Sequence, residues 1–111
     1  MKVSYKPKKL GKTVKDLVAI KKNYGTNAKK INQRLEEFKA AKDLDDIRKI
    51  PQAKCHELTN NRKGELAVSI SGNNRIIFVP DHEPTPKKED GGLDWKQVTQ
   101  ITITDIKLDY H

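Results

Sequence analysis

Residues 54–80, KCHELTNNRKGELAVSISGNNRIIFVP, constrain the fold more than any other part of the chain. Three short apolar runs, 54–58, 66–70 and 75–79, are separated by two polar connections. The first connection, 59–64, ends in glycine. The second, 71–74, reads Ser-Gly-Asn-Asn, and Gly and Asn accept positive φ at little steric cost. Leu66, Val68 and Ile70 alternate with Ala67 and Ser69, which is the period of a half-buried strand. Ile76, Ile77, Phe78 and Val79 run on without a polar break, as in a strand covered on both faces. The stretch therefore predicts an antiparallel meander with His56, Arg62, Lys63 and Arg75 gathered at its connections and ends. An imidazole that titrates near neutrality and forked guanidinium donors are suited to handling a phosphate.

Upstream, residues 2–5 read as a short strand with Val3 and Tyr5 on one face. Pro7 suits the start of a helix, where its missing N–H is not needed. Leu10, Val14, Leu17 and Val18 follow at i, i+4, i+7 and i+8, one apolar stripe of an amphipathic helix. Gly25 is a natural stop, Thr26 or Asn27 can cap a second helix, and that helix carries Ile31, Leu35, Phe38 and Ala41. So short a connection predicts an antiparallel helical hairpin. Asp43 can cap a further turn holding Leu44 and Ile47, and Pro51 closes the helical part.

Downstream, residues 81–97 hold prolines, glycines and mixed charge, the composition of a long exposed loop. Trp95, the only Trp, would anchor its return, and His82 would face solvent. Residues 98–108 read as a strand. Ile101 and Ile103 share a face, while Ile106 and Leu108 keep the period in the other phase, so a bulge is expected near Thr104–Asp105. The predicted class is α+β: an N-terminal helical hairpin packed on a small antiparallel sheet, in one domain spanning 1–111.

Charge is distributed unevenly. The formal net charge is +8, yet residues 1–30 hold ten Lys and one acid. A one-sided basic segment points to a polyanionic partner. The single Cys55 can form no internal disulfide, which fits a reducing cytoplasm. No apolar segment approaches the ~20 residues of a membrane helix. Cys55 beside His56 is a poor metal pair, because neighbouring strand residues point to opposite faces, and no other cluster has ligand spacing. No metal and no cofactor are expected.

The order of elements carries a resemblance. A helical hairpin, a meander containing Cys55-His56-Glu57-Leu58, Arg62-Lys63-Gly64 and Asn74-Arg75-Ile76-Ile77-Phe78, and a terminal strand ending Asp109-Tyr110-His111 resemble the RelE/ParE superfamily of bacterial toxins, nearest to its HigB branch. The joint spacing of His56, Arg62, Arg75 and the Tyr110-His111 ending is what makes the likeness specific. It implies a RelE-like microbial ribonuclease fold and a toxin of a type II toxin–antitoxin system. Such a toxin is an endoribonuclease that cuts the message in the ribosomal A site. It is held inactive by a HigA-like antitoxin with a helix-turn-helix domain, through which alone it would meet operator DNA. Many relatives carry Lys where Thr59 stands, and the loop at 81–97 is longer than in compact members.

Metal-free cleavage uses the ribose 2′-hydroxyl as nucleophile, and it needs a base, an acid and cations for the phosphoryl oxygens. His56 and His111 are the candidate base and acid, Arg62 and Arg75 the candidate phosphate clamps, and Tyr110 a group to stack on a base or position the ribose. Lys54, Lys63, Lys8, Lys9 and Lys12 are candidate RNA-binding residues. A second class stays open: a non-catalytic binder, either ParE-like and directed at gyrase or a degenerate toxin kept for its antitoxin.

Overall fold

The computed structural model describes residues 1–108. Strand β1 (Lys2–Tyr5) leads into helices α1 (Lys8–Lys12), α2 (Leu17–Tyr24), α3 (Ala28–Ala40) and α4 (Leu44–Arg48). Strands β2 (His56–Glu57), β3 (Leu66–Ser69), β4 (Arg75–Pro80) and β5 (Gln100–Lys107) follow. They form one sheet in the order β1-β5-β4-β3-β2. The α+β class is the one read from the sequence, and the meander β2-β3-β4 is antiparallel. The sheet as a whole is mixed, because β1 runs parallel to β5, with Lys2 opposite Gln100 and Tyr5 opposite Ile103. A parallel pair needs a long crossover, and here the helices and the meander together supply it.

The helices cover one face. Leu66, Val68 and Ile70, Ile76 and Phe78, and Ile101, Ile103 and Ile106 alternate onto that face and join Ile20, Ile31, Leu35, Phe38, Leu44 and Ile47 in one core cluster. The expected stripe of α3 is buried throughout. Phe38 meets Phe78 edge-on, with ring centroids 5.1 Å apart and planes at 69°, the favourable arrangement for two aromatic quadrupoles.

The first helix differs from its periodicity. In place of one helix carrying Leu10, Val14, Leu17 and Val18 there are two, with a break between Lys12 and Leu17. Thr13 Oγ1 donates to the Leu10 carbonyl at 2.6 Å and closes α1. The Asp16 carboxylate accepts from the Ala19 N–H at 2.8 Å and opens α2. The break rotates the second half of the stripe outward, so Val14 is buried while Leu17 and Val18 are 44% and 77% exposed. The hairpin is therefore α2–α3, turning at Gly25, whose φ of 55° ends α2. Asn27 does not cap α3 with its side chain. Its Oδ1 accepts from Ser71 Oγ and Asn74 Nδ2, both at 3.1 Å, and fastens the hairpin to the β3–β4 turn. Asp43 caps α4 through the Asp46 N–H, as its position suggests.

Burial departs from the pattern in β3, where all four residues are buried. Ala67 and Ser69 are small, and the longer His56 and Arg75 stand opposite them on β2 and β4. The loop at 81–97 is tied down at several points. Lys87 bridges Leu93, Leu93 is buried, and the Arg48 guanidinium lies 4.8 Å over the Trp95 ring. Arg48 also bonds Asp45 and holds its carboxyl below the usual range. His82 is not free in solvent: its Nε2 accepts from the Thr99 N–H at 3.0 Å and so fixes the start of β5. The expected bulge is present, since pairing steps from Ile77–Asp105 to Phe78–Ile103 and leaves Thr104 extra.

Candidate active site

The sheet face turned away from the helices carries the residues out of phase with the core. By register, Ala67, Ile77 and Asp105 lie in one row across β3, β4 and β5, with His56 opposite Ala67 at the β2 edge. Ser69, Arg75 and Lys107 form the next row. A cleft of about 650 Å³ opens over this side, lined by His56, Glu57, Leu58, Thr59, Asn60, Asn61, Arg62 and Lys107.

His56 owes its setting to the backbone before it. Residues Pro51–Ala53 form a 3-10 turn, and Lys54 then adopts the left-handed conformation, at φ 48° and ψ 45°. That twist brings the Lys54 carbonyl to 2.8 Å from His56 Nδ1. A carbonyl only accepts, so Nδ1 carries the hydrogen and Nε2 is the ring nitrogen left for chemistry. Arg34, 2% exposed, pins the approach. Its Nε donates to the Ser69 carbonyl at 2.8 Å, its Nη2 to the Gln52 carbonyl at 3.0 Å and its Nη1 to Glu37 at 2.9 Å. Between Lys54 and His56, the Cys55 thiol is pushed up to about 12 by burial, which makes it a packing group and not a nucleophile.

Arg62 sits at the end of a second 3-10 turn, Asn60–Arg62. Its Nη1 lies 3.2 Å from Glu65 Oε1, an ion pair that is partly exposed on both sides. The structure thus brings His56 and Arg62 to one cleft.

The other candidates stand apart from it. Arg75 does not line the cleft: its Nη1 donates to the Gly72 carbonyl at 2.7 Å and the Asn74 carbonyl at 3.0 Å, capping its own turn. The Lys54 side chain and Lys63 are exposed outside the lining. Lys8, Lys9 and Lys12 lie on α1, which packs beside β1. From β1 to β2 is the full width of the sheet, roughly 19 Å at ~4.8 Å per strand, so these lysines form a separate surface. Tyr110 and His111 lie outside the described residues. Leu108, which keeps the period of Ile106 in the sequence, is 39% exposed.

Two residues of the site were missed in the sequence. Glu65 is the partner of Arg62, and Lys107 lines the cleft. The signal for Lys107 was present, because Ile106 in phase with the core places its neighbour on the opposite face. Among the described residues no group of three or more His, Cys, Asp or Glu side chains could hold a metal ion.

No family model matches the chain, and no curated protein matches it. Solved structures do. The YoeB dimer from Staphylococcus aureus aligns with a TM-score of 0.54 at 18% identity, over 99% of this chain and 98% of that one. A YoeB/ParE toxin from Agrobacterium tumefaciens aligns with a TM-score of 0.52 at 12% identity, over 99% and 100%. The heterotetrameric YoeB–YefM toxin–antitoxin complex from Staphylococcus aureus aligns with a TM-score of 0.52 at 16% identity, over 99% and 98%. The likeness runs the length of both partners and does not single out the HigB branch. What this chain shares with these toxin structures is the fold.

Proposed function

We propose that the protein is the toxin of a type II toxin–antitoxin system and cleaves messenger RNA on the ribosome without a metal. The observation that carries this reading is the cleft in which His56, with Nδ1 engaged by the Lys54 carbonyl, shares a wall with Arg62. In the proposed reaction His56 Nε2 takes the proton of the ribose 2′-hydroxyl, and the 2′-oxygen attacks the adjacent phosphorus. The bond from phosphorus to the 5′-oxygen breaks, leaving a 2′,3′-cyclic phosphate and a 5′-hydroxyl. His111 protonates the departing oxygen, and Tyr110 stacks on a base or holds the ribose. Arg62 binds the message backbone, and Arg75 meets the phosphoryl oxygens as their charge rises. Lys54 and Lys63 line the approach of the message. Lys8, Lys9 and Lys12, on the far edge, contact ribosomal RNA.

Two solved neighbours are YoeB–YefM complexes. By analogy with them, the proposed protein partner is a cognate antitoxin, and the HigA-like helix-turn-helix type rests on the sequence resemblance. The test is message cleavage on purified ribosomes with the wild-type protein and His56→Ala. A positioned base contributes roughly 10²–10⁴-fold, so the variant should lose about that much rate while still binding ribosomes. An unchanged rate would remove His56 from the chemistry. No cleavage by the wild type, together with inhibition of gyrase, would establish the binder instead.

A further inference from the structure

We propose that Arg75 and Lys107 form a two-cation site for an RNA phosphodiester on the open face of the sheet, with Lys107 the cation inside the cleft. This rests on the ribonuclease reading and adds to it a residue and a ligand position. The argument begins with the register. Arg75 on β4 stands directly opposite Lys107 on β5, so the two side chains share a face and a row. Like charges placed opposite one another across a strand pair are destabilising. Some cations of the chain are compensated: Arg34 has Glu37, Lys39 has Glu36, Arg48 and Lys49 have Asp45, Arg62 has Glu65 and Lys88 has Asp90. Among the described residues, neither Arg75 nor Lys107 has a carboxylate within ion-pair distance. Asp105, on the same face of β5 two residues before Lys107, makes no ion pair with it.

The geometry of Arg75 complements this. Both of its hydrogen bonds use Nη1, on the Gly72 and Asn74 carbonyls. These bonds hold the guanidinium at the end of the row, and the Nε–Nη2 edge engages no described residue. A planar edge with two N–H donors matches two oxygens of one phosphate. Lys107, the neighbouring cation, lines the same cleft as His56 and Arg62. An anion seated between Arg75 and Lys107 relieves their repulsion and lies on the face that carries His56. The repulsion is thus present in the empty site and is cancelled by the ligand.

The experiment uses the full-length protein with Lys107→Ala and Lys107→Arg variants. The first probe is a short single-stranded RNA with 2′-O-methyl groups, which binds but cannot be cleaved. The second is inorganic phosphate. With the RNA, Lys107→Ala should bind about ten-fold more weakly, and its log–log salt slope should be shallower by about 0.7, the value for one phosphate contact on a single strand. Lys107→Arg should restore both. Without ligand, the melting temperature of Lys107→Ala should equal or exceed that of the wild type. Phosphate should raise the melting temperature of the wild type and of Lys107→Arg but not that of Lys107→Ala. RNA affinity and salt slope unchanged in Lys107→Ala would overturn the site. A fall in the ligand-free melting temperature would also overturn it, by showing that Lys107 serves the fold. The two readings fail separately. Lys107-dependent binding without cleavage on ribosomes would leave the site and remove the nuclease. Cleavage with Lys107-independent binding would do the reverse.

Discussion

Cys55 and His56 are neighbours with opposite fates. His56 is exposed on an edge strand, while Cys55 packs against the core. Burial raises the thiol from its ordinary 9.0 to about 12, so folding favours the neutral form. The stabilisation is complete below the ordinary value and is lost as pH rises from about 9 towards 12. Native protein at pH 8 should therefore resist iodoacetamide, and the same protein in denaturant should alkylate at the rate of a free thiol; equal rates would show that the thiol is accessible. Adjacent residue types gave no hint of this split in the sequence, since strand alternation assigns opposite faces without saying which is covered. His82 carries the same lesson. Its loop reads as solvated, and only the fold brings Thr99 N–H to its Nε2.

The elements were legible where one periodicity ran unbroken. The stripe of α3, the cap at Asp43, the stop at Gly25 and the bulge beside Thr104 all stand in the sequence as they stand in the structure. They are local features, set by side-chain spacing and by which residues tolerate which φ. The break between α1 and α2 was hidden because Leu17 and Val18 continue the apolar period, although Asp16 is a cap signal in its own right. There a side-chain hydrogen bond outcompeted the stripe. Asp16→Ala should destabilise the protein by about 1 kcal/mol, the usual value of an N-cap. Phe38→Ala, which empties the contact between α3 and β4, should cost about 3–5 kcal/mol. Both are read from urea midpoints at constant m. If Asp16→Ala proved the more damaging, the capping bond would be more than a local feature. The candidate site was legible by residue type at His56 and Arg62, and was incomplete because Lys107 reaches it only through the pairing of β5 with β4.

On the scale of the whole molecule, the sheet puts its last strand at the middle of its assembly. β5 supplies Ile101, Ile103 and Ile106 to the core and joins β1 on one side to β4 on the other. Lys2 therefore waits for Gln100. Closing so long a loop is entropically costly, and chains dominated by distant pairings assemble slowly. During synthesis, a chain that has not yet exposed residues 100–107 has β1 detached and β4 with a bare edge. Nascent chains halted at residue 97 should be cut rapidly by a mild protease, and released full-length chains should not; protection of the halted chains would show that the sheet closes without β5. The order in which the chain leaves the ribosome thus acts as a timer. A cleft proposed to cut messages is incomplete until β5 has paired with β4 and brought Lys107 to its wall.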